Sequence, residues 1–294
     1  MKGGKIARSC PPLLWRPMKP FYMWAGGKTK LLAQYAPLMP RGYHHYVEPF
    51  LGAGALAGMV LDRGDFEDKV PATLGDVNGE LMGVWHAVQN DLSAFCESLK
   101  WLEQTWLESK DRKHLYYELR QRYWDHPQPS LLYFLMRTGF NGIWQTCQAS
   151  NGLFATPAGL CNQREGFIDH GLLRQWNRAL QGVQLHTGGY QGIDVPTGSW
   201  VFCDPPYRDS FTSYGVAFRD DSQRELIAWC RDVASRGSTV WMSNRDAGDG
   251  FWETEAPEAR IHRFPITYTA GRRLRVEGGF EAKPATEVLL TWGD

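Results

Sequence analysis

The chain of 294 residues carries 32 Lys/Arg against 32 Asp/Glu, with 43% apolar and 22% charged residues, an ordinary balance for a folded globular protein. That balance excludes a disordered polyelectrolyte and gives no whole-chain basic excess of the kind that marks many nucleic-acid binders. No apolar run reaches the roughly 18 residues of a membrane span, and the N-terminus has no signal-peptide core. The six cysteines are scattered without a C-x-x-C pair, so the expectation is a reduced, cytoplasmic protein with no membrane span.

Charge is unevenly spread: residues 1–47 hold eight Lys/Arg and no acid before Glu48. Residues 1–20 are Pro-rich and basic and read as an extended arm. Trp24-Ala25-Gly26-Gly27-Lys28 follows, two glycines before a lysine that can wrap a small anionic group. The four-residue spacer of a Walker loop is missing. Thr29 to Tyr35 reads as a short helix. The pair His44 and His45 has no Cys/His partner at zinc spacing, so no metal is assigned.

Tyr46 to Phe50 reads as a strand opening into Gly52-Ala53-Gly54, with a helix over Ala55 to Arg63. A second strand, Ala72 to Gly75, delivers Asp76 at its end. Glycines in the first crossover allow close backbone approach to a ligand, and an acid at the next strand end suits ribose hydroxyls. The third position of a G-x-G-x-x-G pattern is Ala57, with Gly58 after it, so the glycines alone also fit an ordinary strand-to-helix turn.

Between about Glu80 and Asp125 the period becomes helical, with Leu92, Phe95, Leu99, Leu102 and Trp106 on one face and Leu115, Leu119 and Tyr123 on another. Ser130 to Arg137 continues as an apolar helix. Thr138 to Asn162 is rich in Gly, Asn, Gln, Ser and Thr and reads as an exposed loop or hairpin. The α/β pattern returns with a strand over Ser199 to Cys203. Ser222 with Glu225 reads as a capping box for a helix reaching about Ser235. Strands follow over Thr239 to Met242, Ile261 to Tyr268 and Thr286 to Trp292. A second basic cluster comprises Arg260, Arg263, Arg272, Arg273 and Arg275. The predicted fold is α/β, a sheet built from both ends of the chain around a largely helical insertion between about 80 and 190.

The most specific chemistry lies in Asp204-Pro205-Pro206-Tyr207, at the carboxyl end of an apolar strand where open α/β sheets place ligands. Two prolines remove two N–H donors and leave carbonyls that can only accept. Asp204 and the Pro205 carbonyl can take the two hydrogens of an exocyclic amine, and Tyr207 can stack on the base that carries it.

Taken in order, Trp24–Lys28, Glu48-Pro49-Phe50-Leu51-Gly52-Ala53-Gly54, Gly75-Asp76-Val77-Asn78, Phe140-Asn141-Gly142, Asp204–Tyr207 and Ser243-Asn244 resemble the Dam-like (D12 class, alpha group) DNA adenine-N6 methyltransferases. The resemblance spans roughly residues 21–292. It implies a Rossmann-like domain over 1–79 and 191–294, a target-recognition insertion over 80–190, S-adenosylmethionine as methyl donor and double-stranded DNA as partner. Carried over by position, Trp24, Gly27, Lys28, Glu48, Phe50, Gly52, Gly54, Asp76 and Asp204 are implied cofactor contacts, and Asp204, Pro205, Pro206 and Tyr207 the catalytic motif. Arg137, Asn141, Gln145, Gln148, Asn151, Arg272 and Arg273 are implied DNA contacts. Two departures stand out. Met23 replaces the lysine that often precedes the first Trp. The loop after Phe140-Asn141-Gly142 reads Cys147-Gln148-Ala149-Ser150-Asn151-Gly152, without the arginine that GATC-specific members offer to guanine. Methylation of cytosine N4, an RNA adenine or a glutamine amide, and a methyltransferase-like module that binds DNA without catalysis, remain as alternatives. Oligomeric state is open.

Overall fold

The structure is a computed structural model that describes residues 18–24, 27–62, 70–208, 218–267, 274–276, 279–281 and 284–293. Its centre is a sheet of β1 (His45–Glu48), β2 (Ala72–Asp76), β3 (Gln184–Thr187), β4 (Ser199–Cys203), β5 (Thr239–Asp246), β6 (Arg260–Thr267) and β9 (Pro284–Trp292). The order across the sheet is β3-β2-β1-β4-β5-β9-β6, and β7 (Leu274–Val276) with β8 (Gly279–Glu281) forms a separate ribbon. The pairs from β3 to β5 are parallel, whereas β9 runs antiparallel to both β5 and β6. Parallel strands covered by helices on both faces need continuous apolar runs; β4, Ser-Trp-Val-Phe-Cys, is buried at every position.

The chain leaves β1 toward β2 and β3 on one side, then returns to place β4 on the other side of β1. That reversal is a topological switch point, and the crevice above the carboxyl ends of β1 and β4 is where such sheets bind ligands. The segments on either side of it carry the conspicuous motifs: the Gly52–Gly54 loop after β1, Asp76 at the end of β2 and Asp204 after β4.

Short helices α1 (Leu32–Tyr35) and α2 (Ala55–Leu61) lie near the first strands. Between β2 and β3 come α3 (Gly79–Asn90), α4 (Leu92–Glu108), α5 (Arg112–Asp125), α6 (Pro129–Thr138) and α7 (His170–Leu180). The predicted stripe on α4, Phe95, Leu99, Leu102 and Trp106, is buried. On α5 the buried face is Tyr116, Leu119 and Tyr123, one residue off the predicted Leu115. Helix α6, apolar nearly throughout, is the central post against which α3, α4 and α5 pack. Strand β3 falls inside the span 80–190 yet hydrogen-bonds to β2, so the sheet itself draws on that segment.

The aromatic surplus goes to packing: Trp85, Trp106, Trp176, Trp200, Trp241 and Trp252 are all fully buried. Phe21, Trp85 and Trp176 meet edge to face between the N-terminal segment, α3 and α7. Helices α8 (Asp220–Ser235) and α9 (Phe251–Glu255) complete the fold. The predicted capping box of Ser222 and Glu225 does not form: α8 begins three residues earlier, after Arg219, with no side-chain cap. Asp220 and Asp221 fill its first turn, where acids offset the helix dipole.

Candidate active site

The loop after β1 is shaped by two left-handed glycines, Gly52 (φ 47°) and Gly54 (φ 66°). A Cβ on Gly54 would stand 2.9 Å from the Trp85 ring and 3.2 Å from that of Trp176, so both conformation and space demand glycine there. The Gly52 carbonyl accepts from Trp85 Nε1 at 3.1 Å and from the Tyr22 hydroxyl. Its N–H donates to Asp76 Oδ2 at 3.0 Å, and Asn78 N–H donates to Oδ1 at 2.9 Å. Burial raises the Asp76 pKa above the carboxylate norm, opposed by these backbone donors. The glycine loop and Asp76 are therefore one rigid unit at the ends of adjacent strands. Phe50 projects beside it, half-buried, with Tyr190 5.6 Å and Phe218 6.1 Å away between ring centroids.

At the end of β4, Asp204 Oδ1 accepts from Lys28 Nζ at 2.5 Å and from Ser243 Oγ at 2.8 Å. Lys28, 3% exposed, is thus brought out of the glycine turn and into the site. It also lies 3.5 Å from Glu287 Oε1 and 4.7 Å over the Tyr207 ring. The Tyr207 hydroxyl donates to Glu287 Oε1 at 2.7 Å. The Pro206 carbonyl is taken by Gln223 Nε2 at 2.9 Å, and Gln223 is itself held by Asn244 Nδ2 at 3.1 Å. Among the described residues neither Asp204 Oδ2 nor the Pro205 carbonyl has a hydrogen-bond partner. The next residue, Arg208, is clamped between Asp220 at 2.8 Å and Asp249 at 2.9 Å and lies 3.7 Å over the Phe251 ring, which fixes the backbone just past Tyr207.

Glu48, 2% exposed, sits behind Asp204 and accepts from the Tyr46 hydroxyl at 2.6 Å. Burial first, and the neighbouring Asp204 charge, push its pKa up to about 8 against the pull of Tyr46, the Ala57 N–H and Lys28. Asp204 and Glu287 thus share the Lys28 ammonium.

The polar loop after α6 is an irregular hairpin with bridges at Gly139–Ala158 and Thr146–Phe154. Its core-facing side is anchored by α5: the Tyr116 hydroxyl donates to the Thr156 carbonyl at 2.8 Å, Arg120 to that of Ala155 at 2.8 Å and Trp124 to that of Phe154 at 2.9 Å. Glu80 of α3 accepts from the Phe154 N–H at 3.0 Å and from the Tyr123 hydroxyl. Asn141, Gln145, Gln148 and Asn151 are exposed on this anchored loop, with Asn141 and Asn151 in left-handed conformation. The loop touches the first motif: a Cβ on Gly142 would stand 2.9 Å from that of Met23, and Trp144 packs on Trp24 at 5.8 Å. Gly27 closes the turn there by donating its N–H to the Trp24 carbonyl at 3.2 Å.

Arg137 is placed differently from the loop amides. It is half-buried, and its guanidinium donates to the Phe167 carbonyl at 2.6 Å, an internal tie. Arg272 and Arg273 lie outside the described residues. Glu287 and Gln223 were not singled out from the sequence, and Ser243 and Asn244 entered only through the resemblance. For Glu287 a signal existed: an acid preceding Val288-Leu289-Leu290 in an apolar strand is a buried charge in need of a partner.

The glycine loop after β1, Asp76 at the end of β2 and Asp204 after β4 stand together at the switch point of the sheet, and the match to a methyltransferase family makes the class an S-adenosylmethionine-dependent methyltransferase. Residues 24–261 match the family described as D12 class N6 adenine-specific DNA methyltransferase, and the chain belongs to that family. It is 30% identical to the type II methyltransferase M.MjaIII of Methanocaldococcus jannaschii, over 77% of this chain and 84% of that one. It is 26% identical to the type II methyltransferase M1.LlaDCHI of Lactococcus lactis subsp. cremoris, over 93% and 95%. Identity to the retron Ec67 DNA adenine methylase of Escherichia coli is 25%, over 94% and 92%. No helix among the described residues is long and apolar enough to cross a membrane.

Proposed function

We propose that this protein methylates the N6 amine of an adenine turned out of double-stranded DNA, with Asp204 and the Pro205 carbonyl as the acceptors that hold the amine. The observation that carries the reading is the division of labour at the β4 end. Asp204 Oδ1 is pinned by Lys28 and Ser243 and the Pro206 carbonyl by Gln223, while Asp204 Oδ2 and the Pro205 carbonyl are left without protein partners among the described residues.

Bound S-adenosylmethionine supplies a methyl already activated by its sulfonium. Adenine N6 is a poor nucleophile because its lone pair is delocalised into the ring. Two acceptors on its hydrogens favour the pyramidal nitrogen and stabilise positive charge as it develops. Orientation and exclusion of water supply the rest, and no covalent nucleophile is needed. Tyr207 forms a wall for the planar base, while Phe50, Gly52 and Gly54 would lie beneath the methionine moiety of the cofactor and Asp76 would take its ribose hydroxyls.

The proposed target-recognition unit lies within the segment 80–190, short of the sheet strand β3, and reads DNA through Asn141, Gln145, Gln148 and Asn151. Asn and Gln amides pair well with adenine edges, and residues 139–163 contain no Arg or Lys, which speaks for a target other than one read through a loop arginine on guanine. The names of the type II relatives favour a role in restriction and modification. The five cysteines among the described residues are free thiols, which with a DNA substrate fits a cytoplasmic setting.

The test is Asp204→Ala. Transfer to DNA should fall by about 1,000-fold or more, since the change removes an acceptor that acts on developing charge, while S-adenosylmethionine still binds and the thermal melt stays cooperative. Near-normal transfer by that variant would end the proposal.

A further inference from the structure

We propose that Glu287 is a positioning residue for the methylation site, fixing the Tyr207 ring and the Lys28 ammonium from a strand two places away from the catalytic motif. The inference rests on the reading of Asp204–Tyr207 as the site of transfer.

Glu287 is 1% exposed and sits in β9, in register with Arg245 of β5 and Phe264 of β6. The residues that follow it, Val288, Leu289 and Leu290, are fully buried and apolar, so strand packing alone gives no reason for an acid. A carboxylate in such a place is expensive unless it is paired and hydrogen-bonded. Among the described residues three contacts that offset the cost meet at Oε1: Tyr207 Oη donates at 2.7 Å, Tyr35 Oη at 3.2 Å, and Lys28 Nζ stands at 3.5 Å.

Two of these three partners belong to the site. The Tyr207 backbone is held on its C-terminal side by the Arg208 N–H donating to Asn244 Oδ1 at 3.2 Å. Glu287 holds the far tip of the same side chain, so the ring is fixed at both ends with Lys28 over its face at 4.7 Å. A ring so fixed presents a plane of set orientation to a planar substrate. Glu287 also shares Lys28 with Asp204, which keeps the ammonium at Oδ1 and leaves Oδ2 for the substrate amine. It acts through Tyr207 and Lys28 and does not itself reach the reacting atoms.

The experiment is a double-mutant cycle of Glu287→Ala and Tyr207→Phe, with Asp204→Ala and Glu287→Gln alongside, measured by single-turnover methyl transfer to DNA, S-adenosylmethionine binding and thermal melting. Glu287→Ala should lower the transfer rate by about 10- to 100-fold, with cofactor affinity falling by a smaller factor than the rate. In the Tyr207→Phe background its further effect should shrink well below that factor, because the hydroxyl it anchors is gone. Glu287→Gln keeps an acceptor for Tyr207 but loses the charge that pairs with Lys28, so its rate should fall between those of the alanine variant and the parent, about 3- to 10-fold below the parent; that loss carries the test if the alanine variant fails to fold. Unchanged rates in folded Glu287 variants, or effects that multiply independently of Tyr207, would overturn the proposal. Transfer by Asp204→Ala at the parent rate would instead overturn the reading of the site on which it rests.

Discussion

Glu48 makes a pH-dependent prediction whose sign can be worked out from its surroundings. Its carboxyl is buried beside Asp204, with a folded-state pKa of about 8 against an ordinary 4.5. Above pH 4.5 the unfolded chain gives up this proton, whereas the folded protein keeps it until about pH 8. The native state therefore binds more protons across that window, and stability falls as pH rises through it. Below the unfolded value the contribution is fully present; above about pH 8 it has been lost. The slope is about 1.4 kcal/mol per pH unit, so two units inside the window correspond to about 3 kcal/mol. Glu48→Gln keeps an acceptor for the Tyr46 hydroxyl and cannot titrate. Urea unfolding of parent and variant at pH 5.5 and 7.5 isolates the effect, because the other titrating groups cancel in the difference. The parent should lose about 2–3 kcal/mol relative to the variant between the two pH values. A difference that stays flat, or one that moves in the parent's favour, would refute the reasoning.

Two further outcomes follow from the glycine loop and the hairpin. Gly54→Ala combines a left-handed backbone at φ 66° with a Cβ 2.9 Å from the Trp85 ring. It should destabilise the protein by about 2–4 kcal/mol in urea unfolding, and a loss below 1 kcal/mol would show that the loop relaxes freely. Gln145→Ala, exposed on the anchored hairpin, should leave stability within about 0.5 kcal/mol. Its effect should fall on the choice of methylated sites by sequencing, and an unchanged site profile would remove Gln145 from the proposed reading surface.

The strand Ser199–Cys203 and the motif after it were legible because an uninterrupted apolar run ending in acid-Pro-Pro-aromatic leaves few folds open. The glycine turn and Asp76 were legible for the same kind of reason, a local pattern tied to backbone geometry. Strand β3 was not: Gln-Leu-His-Thr at the sheet edge is mostly polar and has no apolar run to announce it. Strand β5 runs to Asp246, past the predicted Met242, because Ser243 and Asn244 turn their polar groups to partners in the site instead of water. The start of α8 was misplaced because the pattern of Ser222 and Glu225 outweighed two preceding acids whose role depends on Arg208, twelve residues upstream of Asp220. Glu287 shows the general limit. Its partners Lys28 and Tyr207 lie 259 and 80 residues away along the chain, and only the closing of the sheet brings them together.

The central claim, transfer to adenine N6, is tested most directly by incubating the purified protein with labelled S-adenosylmethionine and unmethylated double-stranded DNA, then resolving the nucleosides of the digest. The account predicts label in N6-methyladenine, at discrete positions when the same DNA is sequenced. Label in N4-methylcytosine, label only when RNA replaces DNA, or no label from protein that demonstrably binds both cofactor and DNA would contradict it.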